Sequence, residues 1–460
     1  MTAYLDHAAT TPLRPEARLA MEPWLGGCYG NPSGSHSVAR VARAAVDEAR
    51  DIVAHVLGTT PGDVVFTSGG TEAANLALLG RVRAAPGPLV VSAIEHHCVL
   101  NAALAAQSHR SAEARVVGVG KDGVIDLAAL SGALDRSVSL VSVQLVNNEV
   151  GTLQPFEEVA RLVRRRAPGA VLHSDVVQAV PWYDVSLLAA QADMVSISAH
   201  KFGGPQGVGA LALRRSVKLE PLFFGGPQER ERRAGTHNVA GIVGLAAGLV
   251  ATVAERESAA ARVRALRDQL CAGLLARVPG SKETAPGQDK APGHCHLVIE
   301  GIESEALLMV LDAYGVAASA GSACASGAME PSHVLRAMGY SEREAMGALR
   351  LTLGHTTSAE EVHTALRAVP EAVERLRARG GRPGSAGGAP GSAGGAPGSA
   401  GGAPSAPDLV SAGSSGCKTM NRVHSSLPHE VEVPPENPSA PRTTSLVMRV
   451  PRPAGRTGAT

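Results

Sequence analysis

The sequence has few aromatic residues and almost no net charge, and each shortage excludes a class of protein. Phe, Trp and Tyr make up 3% of the 460 residues, which argues against a surface on which the bases of single-stranded nucleic acid stack. The formal net charge is +1, so the chain offers no broad electrostatic footprint for nucleic acid or an anionic membrane. We therefore expect neither nucleic acid nor a membrane among its direct partners.

Cysteines and long apolar runs are also scarce. The six cysteines are scattered and form no CxxC pair, so a disulfide framework is not expected in a chain of this length. The first residues, MTAYLDHAATTP, have neither the basic region nor the apolar region of a secretory signal. No run approaches eighteen apolar residues without a charge, the nearest being VAGIVGLAAGLVATVAERE. These features predict a cytoplasmic protein.

What the chain does contain is an alternation of strand and helix patterns. Short β-branched runs such as DVVFTS, PLVVSAI and DMVSISA alternate with helical patterns such as EAANLALLGRVRA and FEEVARLVRRR. This alternation indicates βαβ units and a mostly parallel sheet covered on both faces. A long helical pattern and a smaller α+β pattern follow it. We predict an N-terminal arm at 1–13, a large α/β domain at 14–250 and a small α+β C-terminal domain at 251–378.

The end of the chain differs in composition from the rest. The heptad GSAGGAP occurs three times in succession, at 384–390, 391–397 and 398–404, and a Pro-rich segment follows. A Gly/Ser/Ala/Pro segment cannot bury enough apolar surface to offset the entropy lost on ordering. We therefore predict that 379–460 is a linker and a disordered tail.

Polar and ionisable side chains follow the predicted strands of the large domain. Ligands of open parallel sheets gather at the carboxyl ends of the strands, so these side chains are candidates for a binding site. The strand ends read SGGTEAAN (68–75), EHH (95–97), NNE (147–149), HSDVVQ (173–178) and SAHKFGGPQG (198–207).

Three of these segments suggest specific chemistry, and each has a plainer alternative. Gly69, Gly70 and Thr71 would begin a helix whose free N–H groups suit a phosphate, but an ordinary glycine turn has the same pattern. Asp175 would be partly buried and would need a cationic partner, either the protonated ring nitrogen of a cofactor or an Arg. Lys201 follows a strand and precedes glycines, where its amine could form a Schiff base or could lie on the surface.

Two histidine clusters could suggest a metal site, EHHC at 95–98 and HCH at 294–296. Adjacent residues of a strand point to opposite faces, so neither cluster is expected to converge on one ion. The flat imidazole of His96 could instead stack on an aromatic ring, and Gln178 could donate to the same ligand as Asp175. A helix start for an anion, a buried Asp, a strand-end Lys and a stacking His are together what a pyridoxal phosphate site needs.

A series of longer segments occurs in one order over about residues 2 to 378. They are YLDHAATTP, GNPSGSHSVAR, FTSGGTEAANLAL, EHHCVL, NNEVGTLQP, HSDVVQAV, SAHKFGGPQGVGAL, FGGPQERERRAGTHNVAG, SAGSACASGAMEPSHVLRAMG and LRLTLGHTT. In order and spacing they resemble the cysteine desulfurases of the class V aminotransferase group, which are fold-type I pyridoxal phosphate enzymes. The resemblance implies a fold-type I transferase, α/β in class, with a seven-stranded type of mostly parallel sheet and a smaller α+β domain.

The resemblance also implies a role for each site residue. Lys201 would bind the cofactor covalently, His96 would stack on its ring and act as an acid or base, and Cys324 would be the catalytic cysteine. Arg350 would clamp the substrate carboxylate, with Asn148 beside the substrate and the ring. The other cofactor-binding residues that it implies are Gly70, Thr71, Ser198 and His200 for the phosphate, Asp175 for the ring nitrogen, Gln178 for the phenolic oxygen, and Thr236 for the phosphate of the neighbouring subunit in a homodimer.

The activity implied by the resemblance is removal of sulfur from L-cysteine, which yields L-alanine and a persulfide on Cys324. The sulfur would pass to an acceptor such as an iron–sulfur scaffold protein or a tRNA-thiolation enzyme. No resident metal is implied, although Cys324 could ligate iron–sulfur species during transfer. A selenocysteine lyase and an aminotransferase share this fold, whereas an iron–sulfur or sulfur carrier built around Cys324 would have no lysine-bound cofactor.

Three places depart from the family pattern. The family usually has Arg where His355 stands, Ser where Ala234 stands, and an Asn-bearing strand where 294–298 reads HCHLV. None of these changes removes a catalytic group, so we expect their effect to fall on substrate affinity.

Overall fold

The computed structural model describes residues 2–214, 217–321 and 330–380. The segment 322–329, which carries Cys324, and the tail 381–460 lie outside the described residues, and the predictions for them stay predictions. The strands are β1 Ala3–Tyr4, β2 Val64–Thr67, β3 Leu89–Ser92, β4 Ala114–Val117, β5 Leu140–Ser142, β6 Val171–Asp175, β7 Met194–Ser198, β8 Gly209–Leu213, β9 Ser281–Glu283, β10 His294–Ile299, β11 Val316–Ala317 and β12 Ala348–Thr352. The α-helices are α1 Pro15–Met21, α2 Ser37–Leu57, α3 Gly70–Asn75, α4 Arg81–Ala84, α5 His97–Ser108, α6 Leu127–Ala133, α7 Phe156–Arg166, α8 Val185–Leu188, α9 Val239–Arg277, α10 Ser304–Ala313, α11 His333–Ala337, α12 Glu342–Ala345 and α13 Ala359–Gly380.

Seven strands form the main sheet, in the order β2-β8-β7-β6-β5-β3-β4. Strand β8 runs antiparallel to both of its neighbours, and every other neighbouring pair is parallel. All residues of β2, β3 and β5–β8 are buried, as expected of strands that are covered on both faces. The predicted mostly parallel sheet is confirmed.

Helices cover both faces of this sheet. Val64 and Phe66 of β2 pack on one face in a cluster that includes residues of α2, α7 and the start of α9. Val65, between them, packs on the other face with residues of α3 and α5. Because successive side chains of a strand point to opposite faces, one apolar strand serves both helix layers.

A second, antiparallel sheet has the order β12-β10-β9. Cys295 and Leu351 are paired across β10 and β12, and both belong to the apolar cluster formed with α9, α10 and α13. His296 and Arg350 form the next pair on the same two strands, one position later on β10 and one position earlier on β12. Directly paired residues share a face, so His296 and Arg350 lie on the face opposite the apolar cluster.

The chain start and one long helix connect these parts. Strand β1 pairs in parallel with β11, so the N-terminal arm contacts the C-terminal part of the fold. Helix α9 has 39 residues and crosses the expected domain limit at 250, and the proposed division therefore stays a prediction. Within the described part of the chain, α9 is also the one helix long and apolar enough to span a membrane, but more than half of its apolar window is buried inside the fold, as in a core helix.

Candidate active site

A cavity of about 590 Å³ opens at the carboxyl ends of the parallel strands. Its volume falls in the range of about 300–1,000 Å³ that is usual for small-molecule sites. The walls come from the ends of β2, β6 and β7, the start of α5 and the loop after β5. Nine of the residues that the sequence singled out line it, namely Gly70, Thr71, His96, Asn148, Asp175, Gln178, Ser198, His200 and Lys201.

The first turn of α3 forms one end of this cavity. The helix begins at Gly70, so the N–H groups of its first residues have no partner within the helix and can bind an anion. A Cβ atom at Gly70 would lie 3.2 Å from Val177 Cγ2 and 3.4 Å from Ser198 Cβ. Glycine at this position therefore keeps open the space between the helix start and the end of β7.

Lys201 lies just after β7, and its amine points at the N-terminal arm. Nζ donates to the carbonyl oxygens of Ala8, at 2.6 Å, and Ala9, at 2.8 Å. Burial, and next the positive charge of Arg350, lower the pKa of Lys201 to about 8. A substantial fraction of the amine is therefore neutral near physiological pH, as a nucleophilic or proton-accepting lysine requires.

Asp175 ends β6 and is 8% exposed. Its Oδ1 accepts the N–H of Val177 at 2.9 Å, and burial raises the pKa of the carboxyl to about 6 although Lys201 acts in the opposite direction. A cationic group placed against this carboxylate would remove the energetic cost of its burial. Beside it, Gln178 donates from Nε2 to the oxygen of Ala8 at 2.8 Å.

His96 is placed differently from the expectation. It caps the start of α5, with Nδ1 accepting the N–H of Cys98 at 3.1 Å, so 96–98 is a loop-to-helix junction. The argument that these residues alternate along a strand and therefore cannot share a metal ion was wrong. Even so, the described part of the chain contains no group of three His, Cys, Asp or Glu residues that could hold a metal ion. Loss of hydration, and next the charge of Lys201, lower the pKa of His96 to about 4. The ring is therefore neutral at physiological pH.

His200 lies on the other side of Lys201. Its Nδ1 is 3.2 Å from Thr10 Oγ1, and its backbone oxygen accepts the N–H of Thr11 at 3.0 Å. Burial, and next the charge of Lys201, lower the pKa of His200 to about 4. The N-terminal arm is thus fixed beside the lysine through both neighbouring residues, 200 and 201.

Arg350 and Asn148 meet at the edge of the cavity. Arg350 donates to Asp6 Oδ1 at 2.8 Å and to the backbone oxygen of Asn148 at 2.9 Å, and it does not itself line the cavity. Two buried polar atoms here, Arg350 Nε and Asn148 Oδ1, have no hydrogen-bond partner among the described residues. Such unpaired atoms are costly unless a ligand or water satisfies them.

Two expected residues remain to be placed, Thr236 and Cys324. Thr236 is exposed and does not line the cavity. The segment before Thr236 is held by Arg233, whose Nε donates to Glu72 Oε1 at 2.9 Å. Cys324 lies outside the described residues, so its place relative to Lys201 stays a prediction.

The cavity wall also contains residues to which the sequence assigned no role. Cys98, Gln144 and Gln206 line it, as does Thr10 of the N-terminal arm. Burial, and next the charge of Asp175, raise the pKa of the Cys98 thiol well above its usual range, so this thiol is neutral and a poor nucleophile. Its position directly after the EHH segment was the only sequence signal for it.

Comparison with known proteins identifies the family. The sequence pattern of the family described as "Aminotransferase class-V" matches residues 3–364. An "IscS-like cysteine desulfurase" of Mycobacterium tuberculosis is 43% identical over 384 residues, which cover 82% of this chain and 97% of the relative. A "Cysteine desulfurase" of Cereibacter sphaeroides is 43% identical over 378 residues, 82% of this chain and 96% of the relative.

A solved "NifS-like protein" is similar in structure, with a TM-score of 0.75 and 34% identity, over 82% of this chain and all of the other. The chain belongs to the class V aminotransferases, and within them to the family of these cysteine desulfurase relatives. The fold is that of the fold-type I pyridoxal phosphate enzymes, and the cofactor of the family is pyridoxal 5'-phosphate.

The residues present fit this cofactor. The space kept open at Gly70 beside the start of α3 suits a phosphate. The buried carboxyl of Asp175, whose pKa is raised, suits a protonated ring nitrogen, and the amine of Lys201 suits an aldehyde. Asn148 Oδ1 in the same wall has no partner among the described residues and can accept a hydrogen bond from a ligand.

Proposed function

We propose that the protein is a pyridoxal-phosphate-dependent cysteine desulfurase, which removes sulfur from L-cysteine and releases L-alanine. The observation that carries the proposal is the convergence of Lys201, Asp175 and the start of α3 on one cavity. Each of the three matches a different part of the cofactor, and the relatives at 43% identity are named cysteine desulfurases.

When bound, pyridoxal phosphate supplies an electron sink that stabilises negative charge at the substrate Cα. Asp175 would hold the protonated ring nitrogen of the cofactor, and His96, whose pKa is lowered to about 4, would contact the ring as a neutral imidazole. The neutral amine of Lys201 accepts the proton from Cα and can return it to the product.

The substrate carboxylate is assigned to Arg350, with Asn148 beside the substrate and the cofactor ring. Arg350 has a free Nε–H in addition to the two groups already engaged with Asp6 and the Asn148 backbone. A guanidinium is suited to this task because its donors lie in one plane and match the two oxygens of a carboxylate.

Cys324 is assigned the sulfur-transfer step. Its thiolate attacks the sulfur atom of the substrate, a new S–S bond forms, and the C–S bond breaks with its electron pair left on carbon. Protonation of that carbon yields alanine, and the transferred sulfur stays on Cys324 as a persulfide. The acceptor is proposed to be an iron–sulfur scaffold protein or a tRNA-thiolation enzyme, and the cytoplasm is the proposed location.

A homodimer is also part of the proposal. Thr236 is exposed and does not line the cavity of its own chain, as expected of a residue that completes the site of a neighbouring subunit. Tyr29 and Phe224 are 82% and 81% exposed, and exposed aromatic rings are enriched where a partner surface packs. Sedimentation velocity would test this directly, and a monomer at micromolar concentration would contradict it.

The activity is tested by measuring sulfide and alanine from L-cysteine, with and without a thiol reductant. We expect equal amounts of the two products when a reductant releases the persulfide. Lys201→Ala should lose the visible band of the bound cofactor, which borohydride bleaches in the wild type, and Cys324→Ala should keep the band but form no persulfide. Cys28→Ala is the matched control and should behave as wild type. Protein that cannot be loaded with pyridoxal phosphate, or full activity in Cys324→Ala, would refute the proposal.

A further inference from the structure

Glu72 is an acidic side chain in the cavity wall for which the proposed reaction provides no task. It is the third residue of α3, in the same first turn as Gly70 and Thr71, and it lines the cavity together with them. This turn is the place assigned to the cofactor phosphate, because its N–H groups have no partner within the helix. A carboxylate in this turn repels a phosphate unless its own charge is compensated.

Both oxygens of the Glu72 carboxylate are engaged. The backbone N–H of Ser68 donates to Oε2 at 2.7 Å, and Arg233 Nε donates to Oε1 at 2.9 Å. A second nitrogen of Arg233 lies 3.4 Å from Oε2, so the guanidinium faces the carboxylate with two donors. Burial acts to raise the pKa of Glu72, but the hydrogen bonds from Arg233 and Ser68 outweigh it and lower the pKa. The side chain is therefore ionised at neutral pH, and Arg233 is the cation that compensates it.

Arg233 acts on this charge from outside the cavity. It is absent from the residues that line the cavity, and its side chain is 24% exposed, against 8% for that of Glu72. The other group near its guanidinium is the ring of Phe223, whose centre is 5.9 Å from the guanidinium carbon. The position of Arg233 therefore suits an action through Glu72 and not a direct contact with a phosphate.

The chain segment that carries Arg233 has a strained backbone and is fixed at a second point. The three consecutive residues 229–231, none of them glycine, have positive φ angles of 49°, 55° and 64°. Such a backbone persists only where its surroundings hold it. Glu229 provides this hold, because it accepts from Arg50 at 2.7 and 2.8 Å and from the N–H of Phe66 at 3.0 Å. A segment anchored to α2 and β2 thus delivers Arg233 to the ion pair.

We propose that Arg233 is a positioning residue for the cofactor phosphate: by pairing with Glu72 it compensates a negative charge in the first turn of α3, so that this turn can bind an anion while Glu72 keeps the N–H of Ser68 engaged. This inference rests on the proposed function, because it assigns a role within the cofactor site of that enzyme. Arg233 is also three residues before Thr236, so the same ion pair fixes the part of the segment that is assigned to the neighbouring subunit.

Binding of pyridoxal phosphate to the apoprotein, followed by absorbance, tests the proposal in wild type, Arg233→Gln, Glu72→Gln and the double variant. Arg233→Gln leaves the charge of Glu72 uncompensated beside the phosphate, so we expect Kd to rise about tenfold or more. Glu72→Gln removes the charge itself and should weaken binding by no more than about threefold. The double variant has neither charge and should recover most of the affinity that Arg233→Gln loses. A merely structural role of Arg233 gives no such recovery.

Arg164→Gln is the matched control for the loss of a partly buried ion pair. Arg164 pairs with Asp193 at 2.9 Å, the distance that separates Arg233 from Glu72, and the two side chains are 27% and 5% exposed. Neither of them lines the cavity. Arg164→Gln should therefore lower the free energy of unfolding, as Arg233→Gln should, but leave the Kd for pyridoxal phosphate unchanged. Added salt should narrow the difference in Kd between Arg233→Gln and wild type, because screening weakens the repulsion.

Inorganic phosphate and pyridoxal, which lacks the phosphate group, separate the anion site from the aldehyde site. Inorganic phosphate should raise the Tm of the Arg233→Gln apoprotein less than that of the wild type, and the double variant should recover the wild-type response. The affinity for pyridoxal should be similar in all four proteins.

Two results would overturn the positioning role. One is an Arg233→Gln protein that binds pyridoxal phosphate as tightly as the wild type. The other is a double variant that binds it no better than Arg233→Gln, which is the result expected if Arg233 contacts the phosphate directly. If instead the wild type does not bind pyridoxal phosphate, the proposed function fails, whereas the response to inorganic phosphate still reports whether Arg233 prepares the site for an anion.

Discussion

Replacing Asp175 by Asn should make the cofactor-free protein more stable at neutral pH, although it removes a group that the site needs. Burial raises the pKa of Asp175 from 3.8 to about 6, which means that the folded protein resists ionisation of this carboxyl. Asparagine has nearly the same shape and does not ionise, so it avoids that cost. The prediction separates what the residue does for the fold from what it does for the cofactor.

The magnitude follows from the shift in pKa. One unit corresponds to about 1.4 kcal/mol, so a rise of about two units amounts to about 3 kcal/mol for this almost fully buried side chain. Because the pKa of the Asp175 carboxyl is raised in the folded protein, its protonated form contributes stability. This contribution is fully present below pH 3.8 and is lost as the pH rises through about 6. The advantage of Asp175→Asn should therefore be close to zero near pH 3.5 and reach its full value above about pH 6.5.

Glu229 is a matched control with the opposite sign. It is also buried, at 7% exposed, but it accepts from Arg50 at 2.7 and 2.8 Å and lies 2.7 Å from His237 Nε2. Burial raises its pKa, yet the hydrogen bonds from Arg50 and His237 outweigh burial and lower the pKa from 4.5 to about 2. This stabilisation is present above pH 4.5 and is lost as the pH falls toward 2, so Glu229→Gln should destabilise the protein by about 3 kcal/mol at pH 7.

Urea unfolding of the apoprotein between pH 4 and 8 measures both effects. With saturating pyridoxal phosphate the wild type should become more stable than Asp175→Asn. The cofactor stabilises the folded wild type by binding to it, and the variant binds the cofactor less tightly. The reasoning about Asp175 is refuted if apo Asp175→Asn is less stable than wild type at pH 7, or if the difference between them does not depend on pH.

Three further predictions concern the site and its surroundings. The pKa of Lys201 is lowered to about 8, so the neutral fraction of its amine rises over the pH range 7 to 9. The rate at which the apoprotein binds pyridoxal phosphate, measured by absorbance, should therefore increase from about pH 7 to 9 and then level off. A rate that does not change with pH would contradict this. Arg350→Lys should raise KM for L-cysteine by about tenfold or more, since a hydrogen bond between charged groups is worth about 1.5–3 kcal/mol, and an unchanged KM would remove the assigned role. Gly354→Ala should lower the free energy of unfolding by about 1–3 kcal/mol because its Cβ would overlap the ring of His7, whereas Gly118→Ala, with nothing within 4 Å, is the neutral control.

The alternation of patterns predicted most of the main sheet, and the strands it missed have physical explanations. Strand β4 is at the sheet edge, is only partly buried and carries Arg115, so its apolar run is short. Strand β8 consists of Gly, Ala and Leu and lacks the β-branched residues that signal a strand. Gly209 is needed there because a Cβ would lie 2.5 Å from the backbone oxygen of Ile197, a requirement that only the neighbouring strand reveals.

For the site, the side chains could be predicted and their backbone partners could not. The polar residues at strand ends predicted that Asp175, His96 and Lys201 would converge, because parallel strands end at one edge. Lys201, however, bonds to the carbonyl oxygens of Ala8 and Ala9, and every residue has such an oxygen, so the sequence carries no signal for the contact. The NNE segment likewise marked Glu149 as polar without showing that it would meet residues more than 170 positions away.

Two kinds of buried polar group coexist in this protein, and the contrast explains why the cavity favours a ligand. Away from the site, Glu229 is paired with Arg50 and its pKa is lowered, so the protein alone satisfies the charge. In the cavity wall, the pKa of Asp175 is raised, that of Lys201 is lowered, and Asn148 Oδ1 has no partner among the described residues. Each of these costs is removed by a group that the chain itself does not supply there: a cation, an electrophilic carbon and a donor. Pyridoxal phosphate carries the first two of these groups, so the site is preorganised for its cofactor at the expense of the stability of the apoprotein.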